Sequence, residues 1–226
     1  MSDASIAAMR RQPRQNRSEQ RIELILDSLA ALIDEVGYRN LSIASIAKRA
    51  SMSGPGIYRY FDDLNAIARA LANRNLERFL ETAAARLSEA GDDWQNGIAG
   101  SIAAYCDMYR TEPGFRWLRL GDSVDSNLMD TEESNRTVVA RVTGDLFVER
   151  YEVGYRDDLL AHVEVMVEII DALSARAFAN NPQGEQFFLD EIPRIINGYL
   201  AEYLERSLAD SREPQSLIEA PAVPRS

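Results

Sequence analysis

Residues 42–61 read SIASIAKRASMSGPGIYRYF, two short amphipathic pieces around a tight polar turn. Ser42 is placed to cap a helix of about two turns whose Ile43, Ile46, Ala47 and Ala50 recur at helical spacing. Ser51-Met52-Ser53 turns the chain, and Ser53 can cap a second helix with Gly54, Pro55 and Gly56 in its first turn. Proline is tolerated there because first-turn N–H groups have no intrahelical partner. Ile57, Tyr58, Tyr60 and Phe61 complete that helix. Upstream, Ile22, Ile25, Leu26, Leu29, Ile33 and Val36 form one apolar stripe, with Ser18 as a candidate N-cap and Gly37 as a C′ residue able to take positive φ. Downstream, Asp62-Asp63 caps a longer helix expected to run to about Glu89.

After Gly91-Asp92-Asp93, helical periodicity returns over about 94–111, 114–120, 131–152, 157–180 and 186–208. Strong turn signals at Thr111-Glu112-Pro113-Gly114 and Asn180-Asn181-Pro182-Gln183-Gly184 separate them. The 157–180 segment is apolar almost all round and must be covered on more than one side. Pro193 bends the last helix or marks its start. No strand-like alternation is sustained anywhere. The fold class expected is all-α, about nine helices, with a small N-terminal three-helix unit in front of a larger helical domain. The boundaries expected are an Arg-rich flexible arm over 1–17, the small domain over 18–64, the larger one over 65–208, and a flexible tail over 209–226.

The chain has 226 residues, 46% of them apolar, and a formal net charge of −11. That is enough apolar material for a sizeable core and excludes disorder for most of the chain. The charge is divided unevenly. Residues 1–61 hold nine Arg or Lys against six Asp or Glu, a net of +3, which leaves −14 on residues 62–226. A basic front end can steer a polyanion that the net charge alone would repel. One cysteine, Cys106, and one histidine, His162, exclude a disulfide framework, a Cys-based zinc site and a His-paired relay, so no metal and no cofactor is expected. Cys106 reads as a buried thiol and His162 as a core or interface histidine. No run approaches the ~20 apolar residues of a membrane span. Glu23 and Asp27 interrupt the apolar stretch after the basic N-terminus, so no signal peptide is expected and the chain reads as cytoplasmic.

Taken in order, residues 21–67 supply the apolar first helix, Gly37-Tyr38, Ser42-Ile43, Ile46-Ala47, Ala50, Met52-Ser53, Ile57-Tyr58, Tyr60-Phe61 and Ile67. This series resembles the N-terminal DNA-binding domain of the TetR family of bacterial transcriptional regulators, over about 47 residues. The resemblance implies a helix-turn-helix made by the second and third helices. It also implies a helical C-terminal domain that binds a small-molecule inducer and forms a homodimer through the last two helices, about 157–180 and 186–208. The function implied is a regulator, most often a repressor, released from a palindromic double-stranded DNA operator by its inducer.

A short helix presented by a tight turn can enter the major groove, where base edges are distinguishable. Ser42, Ser45, Lys48, Ser53, Tyr58 and Tyr60 offer hydroxyl, amine and helix N-terminal groups suited to phosphate oxygens. The family pattern puts the base-facing positions on Gly54, Pro55, Gly56 and Arg59, so hydrogen-bond readout rests on Arg59, while Pro55 can touch a thymine methyl. Two positions depart from that pattern. Ser51 stands where the turn usually has glycine, and Leu64 replaces a lysine common at the start of the fourth helix. Arg10, Arg14, Arg17 and Arg21 share a face if their stretch is helical, and such an arm serves either as a DNA contact or as a solubilising segment.

Trp94, Tyr105, Tyr109, Phe115, Trp117, Phe147 and Tyr151 are spread over the helices that would enclose the family's ligand cavity, and each reads either as pocket wall or as core. Asp107, Glu112 and Asp122, interleaved among them, mildly favour a neutral or cationic ligand over a polyanion. No nucleophile and base pair, metal-ligand spacing or phosphate loop points to an enzyme, and no catalytic residue is expected. A regulator-like small-molecule-binding protein without specific DNA binding is the alternative, helped by Ser51, Gly54, Gly56 and Leu64.

Overall fold

The computed structural model describes residues 3–119, 135–151 and 158–212, with side chains over 17–119, 135–151, 158–201 and 203. Those residues form α1 (Asp3–Val36), α2 (Ile43–Arg49), α3 (Gly54–Tyr58), α4 (Leu64–Glu89), α5 (Trp94–Thr111), α6 (Phe115–Leu118), α7 (Asn135–Tyr151), α8 (Leu159–Phe178) and α9 (Gln186–Arg212). A single 3₁₀ turn, Tyr38–Asn40, joins α1 to α2, and there is no strand among the described residues. The all-α expectation holds.

The helix ends follow the chemistry of their caps. Ser42 and Ser45 form a reciprocal capping box on α2, Ser53 accepts the Gly56 N–H at the start of α3, and Asp63 accepts the Ala66 N–H at the start of α4. Gly37 ends α1 at φ 75. One boundary differs. α1 begins at Asp3, so Ser18 lies inside the helix, and the stretch expected as a loose arm is helical from that point. Residues 4–12 are rich in Ala, Met, Arg and Gln, all good helix formers, a signal that Pro13 masked in the sequence. At the other end α9 runs to Arg212, and the remainder of the expected tail lies outside the described residues.

Two hydrophobic cores stack along α4. The first gathers Ile25, Leu29 and Ile33 of α1, Ile46 of α2, Ile57 of α3 and Ile67 and Leu71 of α4, all with no measurable exposure. Full burial contributes roughly 1.5–3 kcal/mol for each such side chain, which is how a unit with helices this short holds together. The second core is built from the later part of α4, beginning at Leu76 and Phe79, together with α5, α7, α8 and α9. The first turns of α4, just past the boundary expected between 64 and 65, pack into the core of the first three helices. Arg74, at the crossing, donates to Glu23 and Asp27 of α1, both at 2.8 Å.

α6 also touches both units. Its Leu118 is fully buried in the first core and its Phe115 in the second. The Gly114 N–H donates to the Asp34 carboxylate of α1 at 2.9 Å, and Asn75 of α4 donates to the Arg119 carbonyl at 3.0 Å. A one-turn helix is thus fixed by the two units it joins.

Candidate nucleic-acid interface and ligand cavity

The α2–turn–α3 unit is held rigidly from behind. Arg49 Nη1 donates to both carboxylate oxygens of Glu35 of α1, at 2.7 and 2.8 Å, which ties α2 to α1. The Met52 N–H reaches back to the Ala47 carbonyl at 2.9 Å and closes the turn, with Ser51 in the left-handed region at φ 52. At Gly56 an added Cβ would lie 3.1 Å from the Ser53 hydroxyl, so the missing side chain leaves room for the cap that starts α3. At Gly54 nothing lies within 4 Å of that position, and the bare backbone faces outward.

The expected DNA-facing residues divide accordingly. Ser42, Lys48, Ser53, Pro55, Tyr58 and Arg59 are exposed, with Tyr58 at 56%. Lys48 and Arg59 have no ion-pair partner among the described residues. The Ser45 hydroxyl is committed to the capping box, donating to the Ser42 carbonyl at 2.7 Å. Tyr60 is half-buried against the first core. Arg59 follows α3 directly as its C-cap residue. The positions of Arg10 and Arg14 fall in the helical α1, but their side chains lie outside the described residues.

In the larger domain a cavity of about 260 Å³ lies between α4, α5, α7 and α8. Phe79, Leu87, Ile98, Ile102, Phe147 and Met166 supply much of its apolar wall. At one part of that wall Asp171 of α8, its side chain only 8% exposed, accepts the Tyr105 hydroxyl at 2.5 Å, Arg136 at 2.7 Å and Arg119 at 2.8 Å. Arg136 also pairs with Glu168 at 2.9 Å. Burial pushes the Tyr105 hydroxyl well above its ordinary pKa of 10.0, with Tyr109 and Asp171 adding to the effect, so it stays protonated and donates.

Of the aromatics expected at a pocket, Tyr105, Phe147 and Tyr151 stand on this wall. The other four do not. Trp94 is buried in the second core without reaching the cavity, while Tyr109 stacks on Phe178 at 4.7 Å and meets Phe115 edge-on at 5.1 Å. Trp117 points outward and is 57% exposed. Helix face decided this, and aromatic identity did not. The acids shift likewise: Asp107 is engaged by Arg86 and Arg110, and Glu112 by Arg78, outside the cavity, while Asp122 lies outside the described residues. The charged groups that do line it, Asp171 and Arg136, escaped the sequence reading. The signal available was an ionisable residue within the otherwise apolar run Ile169-Ile170-Asp171-Ala172-Leu173.

Cys106 is buried, as expected, and burial raises its pKa. The His162 ring lies 2.8 Å from the Tyr199 hydroxyl and packs on Tyr203, between α8 and α9. Among the described residues no cluster of His, Cys, Asp or Glu could hold a metal ion, and no helix is long and apolar enough to cross a membrane.

A capped helix-turn-helix rigidly joined to a helical domain with an apolar cavity defines the class of two-domain helix-turn-helix regulators. Residues 25–71 match the family of bacterial regulatory proteins called tetR, and residues 92–204 match the tetracyclin repressor-like C-terminal domain. The chain belongs to the TetR family. Among its solved relatives, a TetR-family transcriptional regulator from Streptomyces coelicolor is 33% identical, with a TM-score of 0.69 over 80% of this chain and 98% of that one. Among curated relatives, the HTH-type transcriptional regulator YobS of Bacillus subtilis is 27% identical over 41% of this chain and 48% of its own length. The HTH-type transcriptional regulator BetI of Stenotrophomonas maltophilia is 30% identical over 36% of this chain and 41% of its own. The chain thus spans about half or less of the curated relatives it matches. These relatives are transcriptional regulators, not enzymes.

Proposed function

We propose that this protein is a cytoplasmic, homodimeric transcriptional regulator that binds a palindromic operator and is released from it by a small-molecule inducer held in the cavity. The observation that carries the reading is the outward face of α3. Gly54 leaves the backbone bare for close approach, Pro55 is exposed next to it, and Arg59 is exposed with no ion-pair partner among the described residues. An unpaired guanidinium can read guanine in the major groove. Ser42, Ser45, Lys48, Ser53, Tyr58 and Tyr60 are assigned to the phosphates and Gly56 to the groove-facing turn. Support for a dimer joined through α8 and α9 comes from large apolar side chains left exposed there, Leu160 and Val165 at 42% each and Phe187 at 69%. A ligand that prefers the dimer geometry with the wrong spacing of reading heads lowers operator affinity by its differential binding energy.

The test is anisotropy of labelled DNA from the gene's own upstream region at two salt concentrations, against a scrambled duplex. Specific binding exceeds the salt-sensitive background if the reading is right. Tyr58→Phe is expected to weaken both duplexes alike, whereas Arg59→Ala also narrows the gap between them, by about 1–3 kcal/mol. Equal affinity of the wild-type protein for both duplexes favours the second reading, a small-molecule-binding protein without specific DNA binding, which the strained Ser51 turn helps.

A further inference from the structure

The cavity carries a chemical signature beyond its apolar wall. Among the residues lining it, Tyr151 alone has a buried polar atom with no hydrogen-bond partner among the described residues. The residue is 7% exposed. Its hydroxyl lies over the backbone of α5 at Gly97, where an added Cβ would sit 2.2 Å from the hydroxyl oxygen and 2.8 Å from Leu87 Cδ1. Gly97 is therefore the residue that lets the Tyr151 ring reach so far in. The neighbouring cation, Arg150, donates to the Gly91 carbonyl and also faces the Tyr151 hydroxyl oxygen, but a guanidinium only donates, so the hydroxyl proton is left without an acceptor. Ser101, on the same wall, already donates to the Gly97 carbonyl at 3.1 Å. Leaving a buried hydroxyl unpaired costs about 1–3 kcal/mol, and Tyr151, unlike the unpaired Tyr109 and Ser174 hydroxyls, stands on the cavity wall, where an acceptor on a bound molecule can recover that cost.

The charged part of the wall is complete in itself. Asp171 receives three donors, and Arg119 and Arg136 are balanced by Asp171 and Glu168. A carboxylate on a ligand would have to displace Asp171 from its arginines, and an ammonium would face those arginines unpaired. Burying a charge without a partner is strongly unfavourable. Along α5, Tyr105 lies eight residues beyond Gly97, so the charged cluster and the Tyr151 hydroxyl are separated by about 12 Å of helix, with apolar wall between them.

We propose that the cavity selects an uncharged, mostly apolar molecule bearing one carbonyl, ether or hydroxyl oxygen, which accepts the Tyr151 hydroxyl while its apolar body fills the space toward the Asp171 cluster. This rests on the cavity being the ligand site of the regulator. Tyr151 is the specificity-determining residue for the oxygen, and the balanced Asp171 cluster rejects charge.

The experiment uses the full chain and the neutral fluorescent probe N-phenyl-1-naphthylamine, displaced in turn by 2-decanone, decane, decanoate and decylamine at neutral pH. The ketone is expected to displace at least about tenfold better than either ion. In Tyr151→Phe its advantage over decane is expected to shrink by about threefold to tenfold, the value of one hydrogen bond, while decane itself is unchanged. Displacement by decanoate or decylamine as strong as by the ketone overturns the exclusion of charge. An unchanged ketone-to-decane ratio in Tyr151→Phe overturns the role of Tyr151. Ala83→Phe, which fills the cavity, is expected to abolish displacement, and full binding in that variant overturns the site. Failure of the probe and of all four competitors to bind, with specific operator binding intact, overturns the ligand class and leaves the DNA-binding reading standing.

Discussion

Ser51 is a β-hydroxy residue held at φ 52, where glycine is at ease and a side chain is not. The Met52 N–H bond to Ala47 and the Ser53 cap on either side of it outweigh that strain. Ser51→Gly is expected to raise stability by about 1 kcal/mol, since relief of the strain exceeds the extra entropy of the unfolded chain. Chemical denaturation midpoints with an unchanged slope check it. The departure was legible before the fold, because the family resemblance puts glycine at the turn position that Ser51 occupies. The surface that the turn presents was legible too: Ser53, Gly54, Pro55 and Gly56 specify a cap and a bare first turn through contacts no more than three residues apart. The unpaired Tyr151 hydroxyl was not, since it depends on Gly97, 54 positions earlier in the chain.

Among the elements, α6 shows how little length a helix needs when its ends are tied. It carries one buried residue for each core, Leu118 and Phe115, and Gly114 before it sits at φ 75 against the α1 backbone. A Cβ there would lie 3.0 Å from both the Cα and the carbonyl oxygen of Ala30. Gly114→Ala is therefore expected to cost more than ~1 kcal/mol, through the positive φ and the backbone clash together. Hydrogen exchange should show the loss concentrated in α1 and α6, and uniform loss across α8 and α9 would count against a local clash. Long elements were read well from periodicity: α5 occupies the residues expected for it, 94–111, and α4 ends at Glu89 as its pattern implies. The start of α1 was missed because one proline weighed more in the reading than a run of good helix formers around it.

For the whole molecule, the division of charge sets how it meets DNA. The net +3 lies on residues 1–61, the part of the chain that holds the helix-turn-helix, and under the proposed function the −14 on the rest favours docking with the larger domain turned away. Operator affinity is expected to fall steeply with salt, and Lys48→Ala to reduce the slope of log K against log salt by about 1 per reading head. Alkaline pH tests the second core. Burial raises the pKa of Tyr105 and Tyr109 above their ordinary 10.0 and of Cys106 above its ordinary 9.0. The folded state then holds protons that the unfolded chain releases first, so stability is full below about pH 9 and declines as pH rises past it. Tyr109→Phe, which removes a hydroxyl without a hydrogen-bond partner, is expected to lessen the part of that decline that sets in above pH 10, in thermal melts taken on either side of pH 10.

By itself the sequence determined the all-α class and the caps and turn of the helix-turn-helix, because each rests on spacings of three or four residues along the chain, and the series of residues over 21–67 carried the family resemblance. Only the tertiary structure decided which side chains meet in the cavity. Tyr105 reaches Asp171 across 66 positions, Arg119 across 52, and Trp117 turns outward although its composition suits a pocket wall. Those outcomes depend on how each helix is rotated about its axis, and that rotation is set by the packing of all its neighbours at once.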